Sequence, residues 1–150
     1  MEAEAIQKAA ELARHFEGLY LRPYLCPAGV PTIGWGATRY ENGLRVSLRD
    51  PPITRERAET LLHWEMQGCL REAVRLCPKL TEWGPMPTAA IVDFCFNLGW
   101  PRLAASTLRR RIEADDRAAA KQELLKWVYG GGRRLRGLEY RRKAECLLIG

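Results

Sequence analysis

Residues 18–53 interrupt a chain whose periodicity is otherwise helical, and this interruption narrows the possible folds more than any other feature. Before it, Ile6, Ala9, Ala10, Ala13 and Phe16 recur at three- and four-residue spacing, which predicts an amphipathic helix over residues 3–17. Gly18 supplies the stop. Within the interruption, residues 19–24 and 30–35 are short β-prone runs joined by the turn Cys26-Pro27-Ala28-Gly29. Asn42-Gly43 marks a second hairpin between Arg39-Tyr40 and residues 44–46. These signals predict a small antiparallel sheet of about three strands, closed by Asp50-Pro51-Pro52.

The remainder reads as helix. Thr54 is a good N-cap, and Ala58, Leu61, Leu62, Met66, Leu70, Ala73 and Leu76 carry one long helix to Pro78. Such a helix, over residues 54–77, is long enough to link two lobes. Pro87-Thr88 opens an apolar helix over residues 89–98, stopped by Gly99 and Pro101. Another spans residues 104–112, and Asp115 or Asp116 caps the next, which runs to about Tyr129. Gly130-Gly131-Gly132 makes a tight or flexible loop. The last helix, residues 138–148, pairs a basic face (Arg141, Arg142, Lys143) with an apolar one (Tyr140, Ala144, Leu147, Leu148). The expected class is α+β and predominantly helical, in one domain of residues 1–150. Within it the divisions are an N-terminal helix 1–17, a β lobe 18–53, a linking helix 54–77 and a helical lobe 78–150.

Composition excludes several function classes. A hydrophobic content of 47% beside 28% charged residues is that of a globular protein and excludes a disordered chain. No apolar run approaches the roughly 18 residues of a membrane span, so no stable membrane insertion is expected. Glu2, Glu4, Lys8 and Glu11 do not follow the order of a signal peptide, so the expected location is the cytoplasm of the producing cell. The net charge of +6 is uneven: residues 1–100 hold 11 basic against 12 acidic side chains, and residues 101–150 hold 13 against 6, a net of +7. A basic C-terminal third suits an anionic partner such as nucleic acid, an acidic polymer or a membrane surface; a solvated helix face explains the charge equally well. Five cysteines (Cys26, Cys69, Cys77, Cys95, Cys146) without C-x-x-C pairing, and two distant histidines, favour free thiols in a reducing compartment, with no metal and no cofactor.

Three side chains in the interrupted region carry chemistry. Glu17 falls in the last helical turn, where the helix dipole disfavours an ionised carboxylate and tends to raise its pKa. A hairpin folded beside that helix end brings Cys26 and Thr32 toward it. An exposed helix-end Glu is the alternative.

With the sequence FEG, a turn, and TIGWG in that order, the region resembles the phage-type lysozymes, the endolysins of glycoside hydrolase family 24. In that family a Glu is followed nine residues later by Asp or Cys, and six later again by Thr; Glu17, Cys26 and Thr32 match this spacing. The likeness continues through FCFNLG (94–99), STLRRRI (106–112) and GLEYRRKAE (137–145), so it spans nearly the whole chain. It implies a small mixed lobe and a larger helical lobe joined by a long helix. The implied reaction is hydrolysis of the β-1,4 bond between N-acetylmuramic acid and N-acetylglucosamine in peptidoglycan, with Glu17 as general acid and Cys26 and Thr32 positioning water. Cys26 departs from the acidic form of the motif: a thiol of pKa about 8.5 is a weak base, leaving a polar positioner or a thiolate as its two roles. Ala37 stands where many relatives carry His.

By the same resemblance, Asn97 and Phe96 face substrate, with a helix-end cap as the other role for Asn97. Arg141 or Arg142 is the implied partner of Glu17. The implied partners are peptidoglycan and a holin-type pore that releases the enzyme to the periplasm and wall; nucleic acid is not among them, and a monomer is expected. Lytic transglycosylase chemistry, and an inactive wall-binding protein of lysozyme form, are the alternatives. A basic nucleic-acid binder using Arg109-Arg110-Arg111 and Arg133-Arg134 lacks any stacking platform.

Overall fold

The computed structural model describes residues 1–150 as two compact units, one of residues 13–65 and one of residues 1–12 with 66–150. The class is α+β, mostly helical with small antiparallel sheets. No helix is long and apolar enough to cross a membrane.

The unit of residues 13–65 holds the end of α1 (Glu2–Glu17), the strands β1 (Tyr20–Leu25) and β2 (Pro31–Gly34), and the first half of α2 (Arg55–Leu76). β1 and β2 pair antiparallel with Tyr20 opposite Gly34, Tyr24 opposite Thr32 and Leu25 opposite Pro31. The ladder is irregular between Tyr20 and Tyr24, where Pro23 has no N–H to donate. The expected third strand shortens to isolated bridges, Ile33 with Ala37 and Arg39 with Arg45. The Asn42-Gly43 turn does form: Gly43 has φ +85°, and Asn42 Oδ1 accepts the Leu44 N–H at 2.9 Å. Yet Leu44 is exposed, and only Val46 of residues 44–46 reaches the core, too little burial to hold a full strand. That core is Ile33, Ala37, Val46 and Leu61, with Tyr40 and Ile53 against it. Thr54 caps α2 as its sequence position implies, its Oγ1 accepting the Arg57 N–H at 3.0 Å.

The other unit is built on α4 (Pro85–Leu98), whose residues 87–95 are all buried. It comes after the short α3 (Leu80–Trp83) and packs against α8 (Arg136–Ile149). Between α4 and α8 the chain forms α5 (Trp100–Ala104), α6 (Thr107–Glu113) and α7 (Arg117–Leu124). Here the observed helices differ from the expected ones in two ways: one expected helix is divided, and α7 ends at Leu124 and not near Tyr129. The helix expected over residues 104–112 is two, because Pro101 starts α5 early and Ser106 recaps the chain, accepting the Arg109 N–H. Asp116 caps α7, while Asp115 instead sits at φ +61° and accepts the Trp83 indole N–H at 2.6 Å. The loop around the three glycines is a hairpin: β3 (Tyr129–Gly130) pairs with β4 (Arg133–Arg134) around Gly131 and Gly132, at φ +58° and +77°. Positive φ at both turn positions is what a two-residue hairpin turn needs.

The last helix departs from the expected amphipathic pattern. Arg141, Arg142 and Glu145 are buried, and Tyr140 and Leu147 are exposed. Arg141 grips Asp93 of α4 through Nε at 2.9 Å and Nη2 at 2.7 Å. Arg142 bonds Glu145 and the Asn97 Oδ1, the latter at 2.8 Å, and stacks over Phe94. The fully buried Glu145 has its pKa pushed well up, by burial first and then by Asp93. Two buried carboxyl groups meet two buried guanidinium groups, so these polar side chains lie inside while leucine stays out.

Candidate active site

Glu17 is the final residue of α1, and Gly18 leaves the helix at φ +76°. The chain then runs through β1 and β2 and returns past Glu17 at Gly36. A Cβ at residue 36 would stand 3.1 Å from Glu17 Oε2 and 3.2 Å from its Cδ, and Gly36 has φ +87°. Glycine is needed there twice, for the backbone angle and for the carboxylate that occupies the missing side chain's place.

Cys26 opens the turn between the strands. Its N–H donates to the Val30 carbonyl at 3.0 Å, and its carbonyl accepts the Gly29 N–H at 2.8 Å. Thr32, on β2, is buried, and its hydroxyl donates to the same Val30 carbonyl at 2.8 Å. Hydrogen bonding from Val30 first, opposed by burial and then aided by Ala28, the Thr32 hydroxyl and Gly29, holds the Cys26 thiol below its ordinary pKa. Thr32 has one proton for two acceptors, the Val30 carbonyl and the Cys26 sulfur, and it favours the thiolate only when that proton turns to the sulfur. Tyr24, opposite Thr32, ties the set together. It stacks on Tyr20 at 4.0 Å, and its pKa is raised by burial first, then by Tyr20, Glu17 and Cys26. Glu17 and Cys26 are therefore both within electrostatic reach of one phenol.

Sequence reasoning passed over two further carboxylates. Glu59 accepts Arg14 Nη2 at 2.6 Å and Trp35 Nε1 at 3.0 Å, and the Arg14 guanidinium holds its pKa below the usual range. This cluster fixes Trp35 next to Gly36. Glu65, on α2, has its pKa raised to about 8 by burial, then by the charges of Glu17 and Glu41. Its signal was legible: it lies on the same helical stripe as Ala58, Leu61, Leu62 and Met66, where a carboxylate is out of place.

Asn97 and Phe96 lie in the other unit, in the last turn of α4. Asn97 uses its oxygen to hold Arg142, which neither expected role anticipated, and Arg141 lies over the Phe96 ring at 5.9 Å from its centroid.

Known proteins resemble this chain over nearly its whole length. A family model described as phage lysozyme matches residues 14–145. The endolysin of Acyrthosiphon pisum secondary endosymbiont phage 1 is 30% identical over 150 residues, spanning 95% of each chain. The SAR-endolysin of Escherichia phage Mu is 28% identical over 141 residues, covering 89% of this chain and 74% of the phage Mu protein. Among solved structures, an endolysin from Escherichia coli O157:H7 phage FAHEc1 superposes with a TM-score of 0.77 at 25% identity, over 95% of this chain and 90% of that one. With a match that leaves out only thirteen residues at the start and five at the end, the chain belongs to the phage lysozyme family, a family of peptidoglycan-lysing enzymes.

Proposed function

We propose that the chain is a muramidase, cleaving the β-1,4 bond between N-acetylmuramic acid and N-acetylglucosamine with inversion. The observation that carries this is the placement, within one compact unit, of the Glu17 carboxylate over Gly36 and of Cys26 and Thr32 on one hairpin, where the Cys26 N–H and the Thr32 hydroxyl donate to the same Val30 carbonyl. Glu17 gives its proton to the glycosidic oxygen as the bond from the anomeric carbon breaks. Water on the opposite face of the ring forms the new bond to that carbon. Thr32 and Cys26 hold this water, and its proton passes to the sulfur or through it to solvent. Lowering of the thiol pKa favours the thiolate as acceptor. Asn97, with its oxygen on Arg142, offers its amide N–H groups to an N-acetyl or peptide carbonyl of the substrate.

The test is digestion of purified sacculi with mass spectrometry of the released muropeptides. Wild type should release reducing-end muramic acid, and Glu17→Gln should lower turnover by about 100- to 10,000-fold. Cys26→Ser keeps a polar positioner without a thiolate. Activity lowered together with a flattened acid limb of the pH profile assigns the base role to sulfur, and activity retained with an unchanged profile assigns positioning. Anhydro-muramic ends would replace hydrolysis by transglycosylation. Sacculus binding without product would replace it by a wall-binding role. A holin-type pore as the export partner is part of the same proposal, and release of the protein from cells lacking any such pore would overturn it.

A further inference from the structure

Leu147 is 83% exposed, the most exposed large hydrophobic side chain of the chain. It lies on one narrow stripe of α8 with Arg136, Tyr140 and Lys143, at offsets of four, seven and eleven residues, and all four are exposed. This stripe alternates cation with apolar group. It continues backwards along the chain into β4, where Arg133 and Arg134 precede Leu135, itself 42% exposed. Tyr129, 63% exposed, pairs with Arg134 across the hairpin. Among these residues the only carboxylate is Glu139, which pairs with Arg134. Four cations (Arg133, Arg134, Arg136, Lys143) therefore face one anion, a local excess of three.

The helix cannot roll to hide Leu147. Its opposite stripe carries Arg141, Arg142, Glu145 and Ile149, all buried, and the first two are clamped by Asp93 and by Asn97 with Glu145. Rotation would strip the Asp93 carboxylate of its partner and expose Ile149. The outward leucine is thus fixed by the buried charges on the other side.

We propose that the exposed Arg-Tyr-Lys-Leu stripe of α8, with the Arg133–Leu135 segment before it, docks on the surface of an anionic phospholipid bilayer. The chemistry separates this occupant from other polyanions. Interspersed arginine, lysine, tyrosine and leucine suit a layer with phosphates outside and hydrocarbon just beneath, where the basic heads stay at the phosphates and the apolar tips enter. A glycan strand with its peptide carboxylates has no apolar interior to receive Leu147, and a nucleic acid phosphate backbone would leave it in water. The proposal concerns peripheral binding and is independent of the bond that the Glu17 site cleaves.

Co-sedimentation of the full chain with vesicles tests it, comparing phosphatidylglycerol mixed into phosphatidylcholine with phosphatidylcholine alone. The protein should partition onto the anionic vesicles only. Leu147→Glu and Lys143→Glu should each lower that partition by about tenfold while sacculus digestion at saturating substrate and the thermal midpoint stay at wild-type values. No partition onto anionic vesicles overturns the proposal. So does partition that Leu147→Glu leaves unchanged, because net charge alone then explains it. Leu147-dependent retention on sacculi or on duplex DNA, without vesicle binding, would assign the stripe to that partner instead.

Discussion

Gly36 determines how closely the chain can pass the Glu17 carboxylate, and Gly36→Ala should harm activity beyond its effect on stability. The positive φ costs roughly 1–2 kcal/mol for an L side chain, visible as a lower urea midpoint. The methyl group, 3.1 Å from Oε2, must also displace the carboxylate, so turnover on sacculi should fall even where the variant is fully folded. A second residue-scale expectation concerns pH. Glu65 has a folded pKa of about 8 against an ordinary 4.5, so the stability linked to it is complete below 4.5 and lost as pH rises through 8. Glu65→Gln should be near neutral in denaturation at about pH 5 and stabilising at about pH 9. Glu41 and Glu59 act in the opposite sense, because Arg57 and Arg14 depress them; their contribution is present above the ordinary carboxylate range and lost as pH falls. The closeness of Cys26 and Thr32 was legible because a hairpin turn fixes short-range geometry. What came against Gly36 was not, since a glycine in a sequence marks a close approach without naming what approaches.

At the scale of elements, α8 distinguishes residues that look alike in sequence. Arg141 and Lys143 stand two apart in one basic run, yet Arg141 is buried on Asp93 and Lys143 is exposed. Arg141→Ala, which strands the Asp93 carboxylate, should cost about 3–5 kcal/mol, and Lys143→Ala should stay within about 0.5 kcal/mol, both measured by urea denaturation. Periodicity located this helix but misplaced Arg141 and Arg142, which are buried, and Tyr140 and Leu147, which are exposed. Its buried partner lies 48 residues earlier, and hydropathy places an arginine outward unless that partner is known. The one trace was Asp93 itself, a carboxylate in the middle of an apolar helix. Local signals fared better at caps: Thr54 and Asp116 are where their chemistry put them. They failed where a break also begins something, as Pro101 does in starting α5.

For the whole molecule, the charge asymmetry should appear in salt dependence. The +7 of residues 101–150 attracts an anionic wall over a Debye length of about 30 Å at 0.01 M salt, shrinking to about 8 Å at 0.15 M. The clearing rate of sacculi at limiting substrate should fall across that range while the rate at saturation changes little, as turbidity at two substrate loads would show. Total composition made the sign of this field legible, and the buried guanidiniums correct its surface share downward. The division of the chain into units has a consequence for synthesis. Residues 13–65 form a contiguous unit, so it can close while the ribosome is still adding the later helices. The other unit joins residues 1–12 to residues 66–150, so the first residues to leave the ribosome must wait for chain made after the whole of 13–65 before their unit can close.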